Sequence, residues 1–286
     1  MILAVASGKG GTGKTTIATN LAVTLARRSE NVSYVDCDVE EPNGHIFLKP
    51  DIKSCVSVGV PVPEVDMNRC TGCGKCGEIC QYSAIVCIGK KVLTFSELCH
   101  GCGGCTFVCP EGAISEVPRE VGILEEGMAD GVGFVHGRLR VGEAMSPPLI
   151  REVKRRIPGD GVAIVDAPPG TSCPVIEAVK GADYVVLVTE PTPFGLNDLE
   201  LAVGMVRELG LPMGVVINRS DVGDDRVKDY CEQESIDVLE EIPDDRRVAE
   251  AYSKGEMAVG SVPEWGQLFD SLLQRIIENA NGENKA

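Results

Sequence analysis

The stretch "SGKGGTGKTT", residues 7–16, is the most informative segment of the chain. It completes the pattern G-x-x-x-x-G-K-[ST], in which Gly8 is the first residue and Thr15 the last. An apolar run that reads as a strand precedes it, and a helical segment beginning near Lys14 follows it. This order of strand, glycine-rich loop and helix predicts a loop that binds phosphate at a helix N-terminus.

The predicted loop offers a nucleotide two kinds of phosphate ligand. Its backbone N–H groups can surround phosphate oxygens at a helix end whose dipole favours an anion. Lys14 adds a positive charge for the β- and γ-phosphates, and the Thr15 hydroxyl can ligate Mg²⁺. We therefore expect ATP and Mg²⁺ to bind here, at Gly8, Lys9, Gly10, Gly11, Thr12, Gly13, Lys14, Thr15 and Thr16.

Short runs rich in Val, Ile and Leu recur along the chain and alternate with helical segments. Such runs are typical of buried parallel strands. The alternation predicts an α/β fold with a doubly wound, mostly parallel sheet. The predicted strands are residues 2–7, 32–36, 162–166, 184–189, 213–218 and 237–241, and the predicted helices are residues 14–29, 173–182, 196–209 and 225–235.

A cysteine-rich stretch interrupts this alternation. The Pro-rich segment "GVPVPEVD" is predicted to lead into it, and "SEVPREVG" to lead out of it. The sequence therefore predicts a nucleotide-binding domain of residues 1–57 and 119–286, with an inserted domain of residues 58–118. Alternating residues predict hairpin strands within residues 119–148.

Eight of the thirteen cysteines repeat the spacing C-x2-C-x2-C-x3-C. This spacing suits thiolate ligation of [4Fe–4S] clusters. The alternative, a zinc site, would use four cysteines in two pairs and leave the third cysteine of each triplet idle. The two runs are Cys70, Cys73, Cys76 and Cys80, and Cys99, Cys102, Cys105 and Cys109.

The stretch resembles a bacterial two-cluster ferredoxin, in which the fourth cysteine of each run ligates the other cluster. The resemblance implies a small, inserted α+β ferredoxin-like domain with two [4Fe–4S] clusters. One cluster would be held by Cys70, Cys73, Cys76 and Cys109, and the other by Cys99, Cys102, Cys105 and Cys80. Of the remaining cysteines, Cys37, Cys55, Cys87 and Cys231 are predicted to be buried apolar side chains, and Cys173 to be a core or loop thiol.

Lys9 is a second lysine where a phosphate loop needs only one. The segment from Lys9 to Thr15 resembles the deviant Walker A motif, KGGxGK[ST], of the MinD/ParA superfamily, which includes the Mrp-type ATPases and the nitrogenase iron protein. The resemblance implies a P-loop ATPase that forms an ATP-dependent homodimer, or a heterodimer with a related chain. Lys9 would touch the nucleotide of the partner subunit and add charge in trans, as an arginine finger does. The alternative for Lys9 is a solvated lysine on a mobile loop.

Three further segments resemble this superfamily. "VDCDVEEPN" supplies Asp38, expected to position the attacking water, and Asp36, expected to hold waters bound to Mg²⁺. "VAIVDAPPGT" ends a predicted strand at Asp166, a Walker B acid for Mg²⁺, and its Gly170 N–H is expected to sense the γ-phosphate. "VVINRSD" supplies Asn218 for contact with adenine. The expected catalytic residues are Lys9, Lys14 and Asp38.

The net charge of −16 opposes binding to nucleic acid phosphates and to anionic lipid headgroups. No apolar run is long enough to span a membrane, and the amphipathic C-terminal segment has no basic face. The cysteine spacing indicates metal ligation, which is typical of a reducing compartment. We expect a cytoplasmic protein that binds neither nucleic acid nor membrane.

These features together predict an ATPase that couples nucleotide-driven dimerisation to electron transfer to a redox partner protein. Assembly or delivery of iron–sulfur clusters, as in the Mrp-type relatives, is the alternative, with an iron–sulfur protein as partner. Two further possibilities rank lower. Amide synthesis lacks a visible second substrate site, and positioning on DNA or membrane is opposed by the acidic charge.

Overall fold

The apolar runs form one central sheet in the computed structural model, which describes residues 1–28 and 30–283. The strands are β1 (Ile2–Ala6), β2 (Val32–Asp36), β3 (Asp51–Val65), β4 (Ile85–Ile88), β5 (Lys91–Thr94), β6 (Ile114–Ala129), β7 (Val132–Leu139), β8 (Val162–Asp166), β9 (Tyr184–Thr189), β10 (Met213–Asn218) and β11 (Val238–Ile242). Across the central sheet the order is β11-β10-β9-β1-β8-β2-β7-β6-β3.

Helices connect most of these strands and cover the sheet. The helices are α1 (Lys14–Arg27), α2 (Gly44–Leu48), α3 (Lys75–Ile79), α4 (Gly104–Val108), α5 (Pro147–Lys154), α6 (Cys173–Val179), α7 (Pro193–Glu208), α8 (Arg226–Gln233), α9 (Arg246–Ser253), α10 (Ala258–Ser261) and α11 (Pro263–Glu283), with one 3₁₀ turn at Ser96–Leu98. Within the described residues, none of these helices is both long and apolar enough to cross a membrane.

The seven strands from β11 to β7 pair in parallel. Their apolar side chains pack against α1 and α11, with Ile17, Leu21, Phe269 and Leu272 fully buried. Burial on both faces explains why these strands are continuous apolar runs. The predicted mostly parallel α/β fold is confirmed.

The chain divides into two compact units. The nucleotide-binding unit contains Met1–Cys55, Leu124–Arg138 and Ile150–Ala286. The cysteine-rich unit contains Val56–Ile123 and Leu139–Leu149. In the cysteine-rich unit, α3 packs against α4, and β4 pairs with β5 as an antiparallel hairpin.

The two segments predicted to lead into and out of the cysteine-rich stretch are parts of long strands. "GVPVPEVD" lies almost wholly in β3, and "SEVPREVG" lies in β6. β3 is the edge strand of the sheet, where a proline's missing N–H costs no ladder hydrogen bond. Composition alone could not separate these tolerated prolines from strand breakers.

The predicted hairpin within residues 119–148 is present as β6 and β7. The two strands are joined by Asp130 and Gly131, whose φ angles are 46° and 86°. Positive φ at both residues is typical of the two-residue turns that match the twist of a hairpin.

Candidate functional site

The glycine-rich loop joins the end of β1 to the start of α1. Gly11 and Gly13 have φ angles of 81° and 92°, in the left-handed region that glycine adopts without strain. A side chain at Gly13 would also place its Cβ 2.4 Å from Nδ2 of Asn218. Both observations explain why the turn into α1 requires glycine, and the turn leaves the N–H groups at the start of α1 available to a ligand.

Lys14 is held at the start of α1 by a buried ion pair. Its Nζ lies 2.6 Å from Oδ1 of Asp166, and the Tyr34 hydroxyl donates to Oδ2 of the same carboxylate at 2.8 Å. Burial by itself would lower the pKa of Lys14, but the charge and hydrogen bond of Asp166, together with the charges of Asp38 and Asp36, outweigh it and the pKa is raised. Lys14 is therefore a fixed cation at the phosphate loop.

Asp36 and Asp166 lie side by side, because β2 and β8 pair in parallel with these residues in register. Both are fully buried. The carboxylate of Asp36 accepts hydrogen bonds from the N–H groups of Asp38 and Gly44, each at 3.1 Å. Burial, and then the adjacent charge of Asp166, raise the pKa of Asp36 well above its usual range. A divalent cation nearby would offset this repulsion, so the pair suits Mg²⁺.

A cavity of about 470 Å³ opens beside the loop. Those predicted residues that line it are the ones that can contact a bound ligand. Lys9, Lys14, Thr15 and Asp38 contribute to the wall. Asp36 and Asp166 do not, since they lie behind Lys14 and are fully buried. Thr15 is thus placed for direct contact with a bound metal ion, whereas the two aspartates are placed to act through Lys14 or through water.

Asp38 is only partly buried and lines the cavity. Burial raises its pKa to about 6, with Lys14 opposing the shift and Asp166 adding to it. Such a carboxylate is largely ionised at neutral pH and can accept a hydrogen bond from water. Its chemistry suits the water-positioning role predicted from the sequence.

Lys9 also lines the cavity, but its ammonium group forms an ion pair within the chain. Its Nζ lies 3.6 Å from Oε2 of Glu190, whose Oε1 accepts from Arg219 at 2.9 Å. Arg219 in turn contacts Asp244 at 3.3 Å. The Lys9 side chain is about one-third exposed, so this pair is weak.

Two other predicted residues contact the loop directly. The N–H of Gly170 donates to the Ser7 carbonyl at 2.9 Å, so this predicted phosphate sensor is hydrogen-bonded to the loop. The Asn218 side chain donates to the Thr12 carbonyl at 2.8 Å. Asn218 also lines the cavity, as a contact with a base requires.

The far wall of the cavity contains residues that the sequence patterns did not single out. The residues of this wall come after β11 in the chain, and some of them belong to α9. Ligands of open α/β sheets bind outside the carboxyl ends of the strands, and this rule could have indicated the segment after the last strand. The residues are Pro243, Asp244, Asp245, Val248, Ala249, Tyr252 and Trp265.

The eight patterned cysteines of the cysteine-rich unit surround two separate small cavities. The first cavity is lined by Cys70, Cys73, Cys76 and Cys109. The second cavity is lined by Cys80, Cys99, Cys102 and Cys105. Each cavity thus takes three cysteines from one run and the fourth from the other run.

The thiols surround these cavities without converging on a point. Across the described ranges 1–28 and 30–283, no three His, Cys, Asp or Glu side chains are grouped closely enough to hold a single metal ion. Backbone N–H groups approach several of the sulfurs. The N–H of Ala113 donates to Cys109 at 3.3 Å, and that of Gly101 to Cys99 at 3.4 Å. Four thiolate donors around a small cavity, with N–H groups aimed at the sulfurs, fit a [4Fe–4S] cluster.

The remaining cysteines differ from one another in exposure. Cys37 and Cys231 are buried as predicted, and burial raises the pKa of both thiols, that of Cys231 to about 11. Cys55 is exposed and Cys87 is half-buried, so the prediction that both are buried was wrong. Cys55 lies on β3, the last strand at one edge of the sheet. Cys173 is exposed at the start of α6.

Comparisons with known proteins agree with the geometry of the phosphate loop and the sheet that carries it. Residues 3–259 match the family described as the CobQ/CobB/MinD/ParA nucleotide binding domain. An uncharacterized protein of Methanocaldococcus jannaschii is 31% identical over 259 residues, which cover 90% of each chain. An iron-sulfur cluster carrier protein of Aquifex aeolicus is 27% identical over 97% of this chain and 68% of its own length.

The fold matches a solved structure as well. The septum site-determining protein MinD of Pyrococcus horikoshii, complexed with Mg-ADP, superposes with a TM-score of 0.60 at 22% identity, covering 95% of this chain and 93% of that one. The family match spans most of the chain and includes the phosphate loop, Asp36 and Asp166. This protein therefore belongs to the CobQ/CobB/MinD/ParA family of nucleotide-binding P-loop proteins.

Proposed function

We propose that the protein is an ATPase that carries two [4Fe–4S] clusters and couples ATP-driven dimerisation to electron transfer to a partner protein. The observation that carries the redox part is the grouping of eight cysteines around two cavities, four to each. A [4Fe–4S] cluster held there would supply one-electron redox chemistry. The proposed inserted domain corresponds to residues 58–118.

The nucleotide part of the proposal assigns a task to each group at the loop. The N–H groups from Gly10 to Thr15 and the Lys14 ammonium would bind the phosphate oxygens. Thr15 would ligate Mg²⁺ directly, while Asp36 and Asp166 would hold its water ligands. Asp38 would accept a hydrogen bond from the water that attacks the γ-phosphorus, releasing ADP and phosphate. Asn218 would contact the adenine.

Dimerisation is proposed from Lys9. The phosphates already have Lys14 as a cation in the same chain, so a second lysine at the rim of the cavity has no evident task within one subunit. We assign Lys9 to the phosphates of a nucleotide bound by the partner subunit. ATP would then hold two subunits together, and Glu190 would release Lys9 when the dimer forms.

Delivery of iron–sulfur clusters is the second candidate, and the relative from Aquifex aeolicus named an iron-sulfur cluster carrier protein favours it. A cluster that is cargo must leave its site easily, which four thiolate ligands oppose. Both cavities offer four cysteines. We therefore place electron transfer first.

An anaerobic redox titration with and without ATP distinguishes the two candidates. Electron transfer predicts reversible reduction, a shift in potential when ATP is added, and iron that stays with the protein. Delivery predicts transfer of iron and sulfide to an apo-ferredoxin acceptor on addition of ATP. Protein that holds no iron after anaerobic purification would refute both.

A further inference from the structure

Exposed apolar side chains gather around the second cysteine-lined cavity. Phe107 is 91% exposed, and Leu98, Tyr82 and Ile79 are between 42% and 51% exposed. Large apolar side chains this exposed are ordinary when scattered, but a contiguous group indicates an interaction surface. We call Ile79, Tyr82, Leu98, His100 and Phe107 the aromatic face.

The members of the aromatic face are close to one another and to the cavity. Tyr82 and His100 stack with ring centroids 3.5 Å apart and planes 12° apart, and both line the cavity together with Ile79. Ile79 also covers Gly104, where an added Cβ would lie 3.8 Å from its Cδ1. Phe107 is three residues after Gly104 on α4 and therefore on the same helix face. Leu98 directly precedes Cys99 of the cavity wall.

The internal repeat shows that the fold does not require an aromatic residue at position 107. The two cysteine runs have the same spacing, and Glu78 on α3 occupies the position that Phe107 occupies on α4. Both positions are exposed. The first repeat therefore forms the same local structure with a carboxylate side chain at this position. Packing does not explain why position 107 has a phenyl ring.

Three carboxylates border the aromatic face, and two cations, Arg119 and Arg140, lie near one of them, Glu97. Glu78 is adjacent to Ile79, Glu97 to Leu98, and the Glu116 carboxylate lies 3.3 Å from the position of a Cβ added to Gly103. As far as the structure describes the chain, these three carboxylates form no ion pair, and the second cavity has neither lysine nor arginine in its wall. An apolar centre with an acidic rim complements an apolar surface bordered by lysine or arginine.

The same charges disfavour a second copy of this chain as the occupant. A symmetric contact between two copies through this face would bring the same carboxylates of both copies together. An acidic rim repels such a copy unless the opposing surface is basic.

We infer that the aromatic face is the docking surface for a basic electron-transfer protein, which approaches the second cavity over Phe107. This inference rests on the proposed function, since it identifies the surface on which the electron acceptor of that function would bind. The apolar centre would exclude water between the second cavity and the acceptor, and the carboxylate rim would steer the encounter.

The test uses cytochrome c, a small electron-accepting protein with a lysine-rich surface, as the probe. Binding of oxidised cytochrome c to the anaerobically purified full chain is measured by isothermal titration calorimetry at low ionic strength. The variants are Phe107→Ala and Glu116→Lys, and their matched controls are Phe194→Ala and Glu208→Lys on the exposed surface of α7. Phe194 is 79% exposed, so its replacement removes a comparable ring elsewhere. Iron content and ATP turnover are measured on every sample.

The inference predicts that Phe107→Ala and Glu116→Lys each weaken binding about tenfold or more. The controls should bind like the wild type, and added salt should weaken wild-type binding. Equal affinity of the wild type and Phe107→Ala, or no binding to the wild type, overturns the inference while leaving the proposed function intact. Self-association that Phe107→Ala abolishes would make a second copy the occupant and also overturn it. Wild-type protein without iron would instead overturn the proposed function, and the inference with it.

Discussion

Buried charge at the phosphate loop is organised around Asp166. Its two carboxylate oxygens are divided between the Lys14 ammonium and the Tyr34 hydroxyl, and Asp36 lies beside it in register. Removing one partner of such a pair leaves an uncompensated charge in the interior, which is strongly destabilising. Substitutions at Lys14 or Asp166 therefore affect folding as well as nucleotide binding. Asp38, which is only partly buried and lies on the cavity wall, offers a cleaner test of chemistry.

Asp38→Ala is expected to bind ATP with nearly unchanged affinity and to lose hydrolysis. The loop amides and Lys14 remain, whereas the attacking water loses the carboxylate that orients it. The measurements are ATP binding by calorimetry and phosphate release at saturating ATP, and Glu40→Ala, two residues from Asp38, is the control. Undiminished turnover in Asp38→Ala would assign the water-positioning role to another residue.

Arg119 in the cysteine-rich unit combines an unpartnered donor with an electrostatic interaction with Cys99, one of the proposed cluster ligands. Its terminal nitrogens pair with Glu143, while its Nε is buried without a hydrogen-bond partner among the described residues. Its pKa is raised, first by the hydrogen bond and charge of Glu143 and to a smaller extent by the charges of Glu97 and Cys99. A cation near a thiolate ligand stabilises the more negative, reduced state of a cluster.

Arg119→Gln should therefore lower the reduction potential of one of the two proposed clusters, and Glu143→Gln should raise it. Opposite shifts are expected because the two variants change the local charge in opposite directions. The measurement is a redox titration followed by electron paramagnetic resonance, with iron content as the check on loading. Shifts of the same sign in both variants would indicate a general structural disturbance and not an electrostatic effect.

At the scale of elements, the strands of the parallel sheet were predictable because burial on both faces leaves a continuous apolar run. The predicted strands at residues 32–36, 162–166, 184–189 and 213–218 coincide with β2, β8, β9 and β10. β3 was missed in part, since prolines on an edge strand cost little and the pattern cannot show which strand is at the edge. β6, which lies between β7 and β3, was also missed in part. The cavity wall after β11 was missed because its residues are brought to the loop only by the tertiary fold.

The order of the cysteines around the two cavities leads to a prediction that spans both repeats. Cys109 belongs to the second run in sequence but lines the first cavity with Cys70, Cys73 and Cys76. Cys109→Ser should therefore remove the cluster proposed for the first cavity, and iron should fall from about eight to about four atoms per chain. Cys87→Ser is the control, since Cys87 is half-buried nearby and lines neither cavity.

Electron paramagnetic resonance spectra of Cys109→Ser and of a second variant, Cys105→Ser, identify which cluster is lost. Cys109→Ser and Cys105→Ser come from the same run but should remove different clusters, because Cys105 lines the second cavity. Identical electron paramagnetic resonance spectra of the remaining cluster in both variants would contradict the exchange of fourth cysteines between repeats.

At the scale of the whole molecule, the proposal depends on ATP linking two subunits. A ligand that binds the dimer more tightly than the monomer shifts the monomer–dimer equilibrium by mass action, so the dimer population should rise with ATP. Lys9 is the residue proposed to make dimerisation depend on ATP, because Lys14 is already available to the phosphates within the subunit.

Lys9→Ala is expected to bind ATP as a monomer with nearly wild-type affinity, since the loop amides and Lys14 are intact. It should lose ATP-driven association, and its hydrolysis should fall by about 10³-fold or more, the contribution of a charge supplied in trans. The weak contact between Lys9 and Glu190 is too exposed for its loss to unfold the chain.

The measurement is sedimentation velocity of the wild type, Lys9→Ala and the exposed-lysine control Lys180→Ala, each with and without a slowly hydrolysed ATP analogue. The control should dimerise like the wild type, because Lys180 follows α6 and does not line the cavity. If Lys9→Ala shows the same distribution of monomer and dimer as the wild type in every condition, Lys9 is only a solvated lysine and ATP does not join the subunits through it.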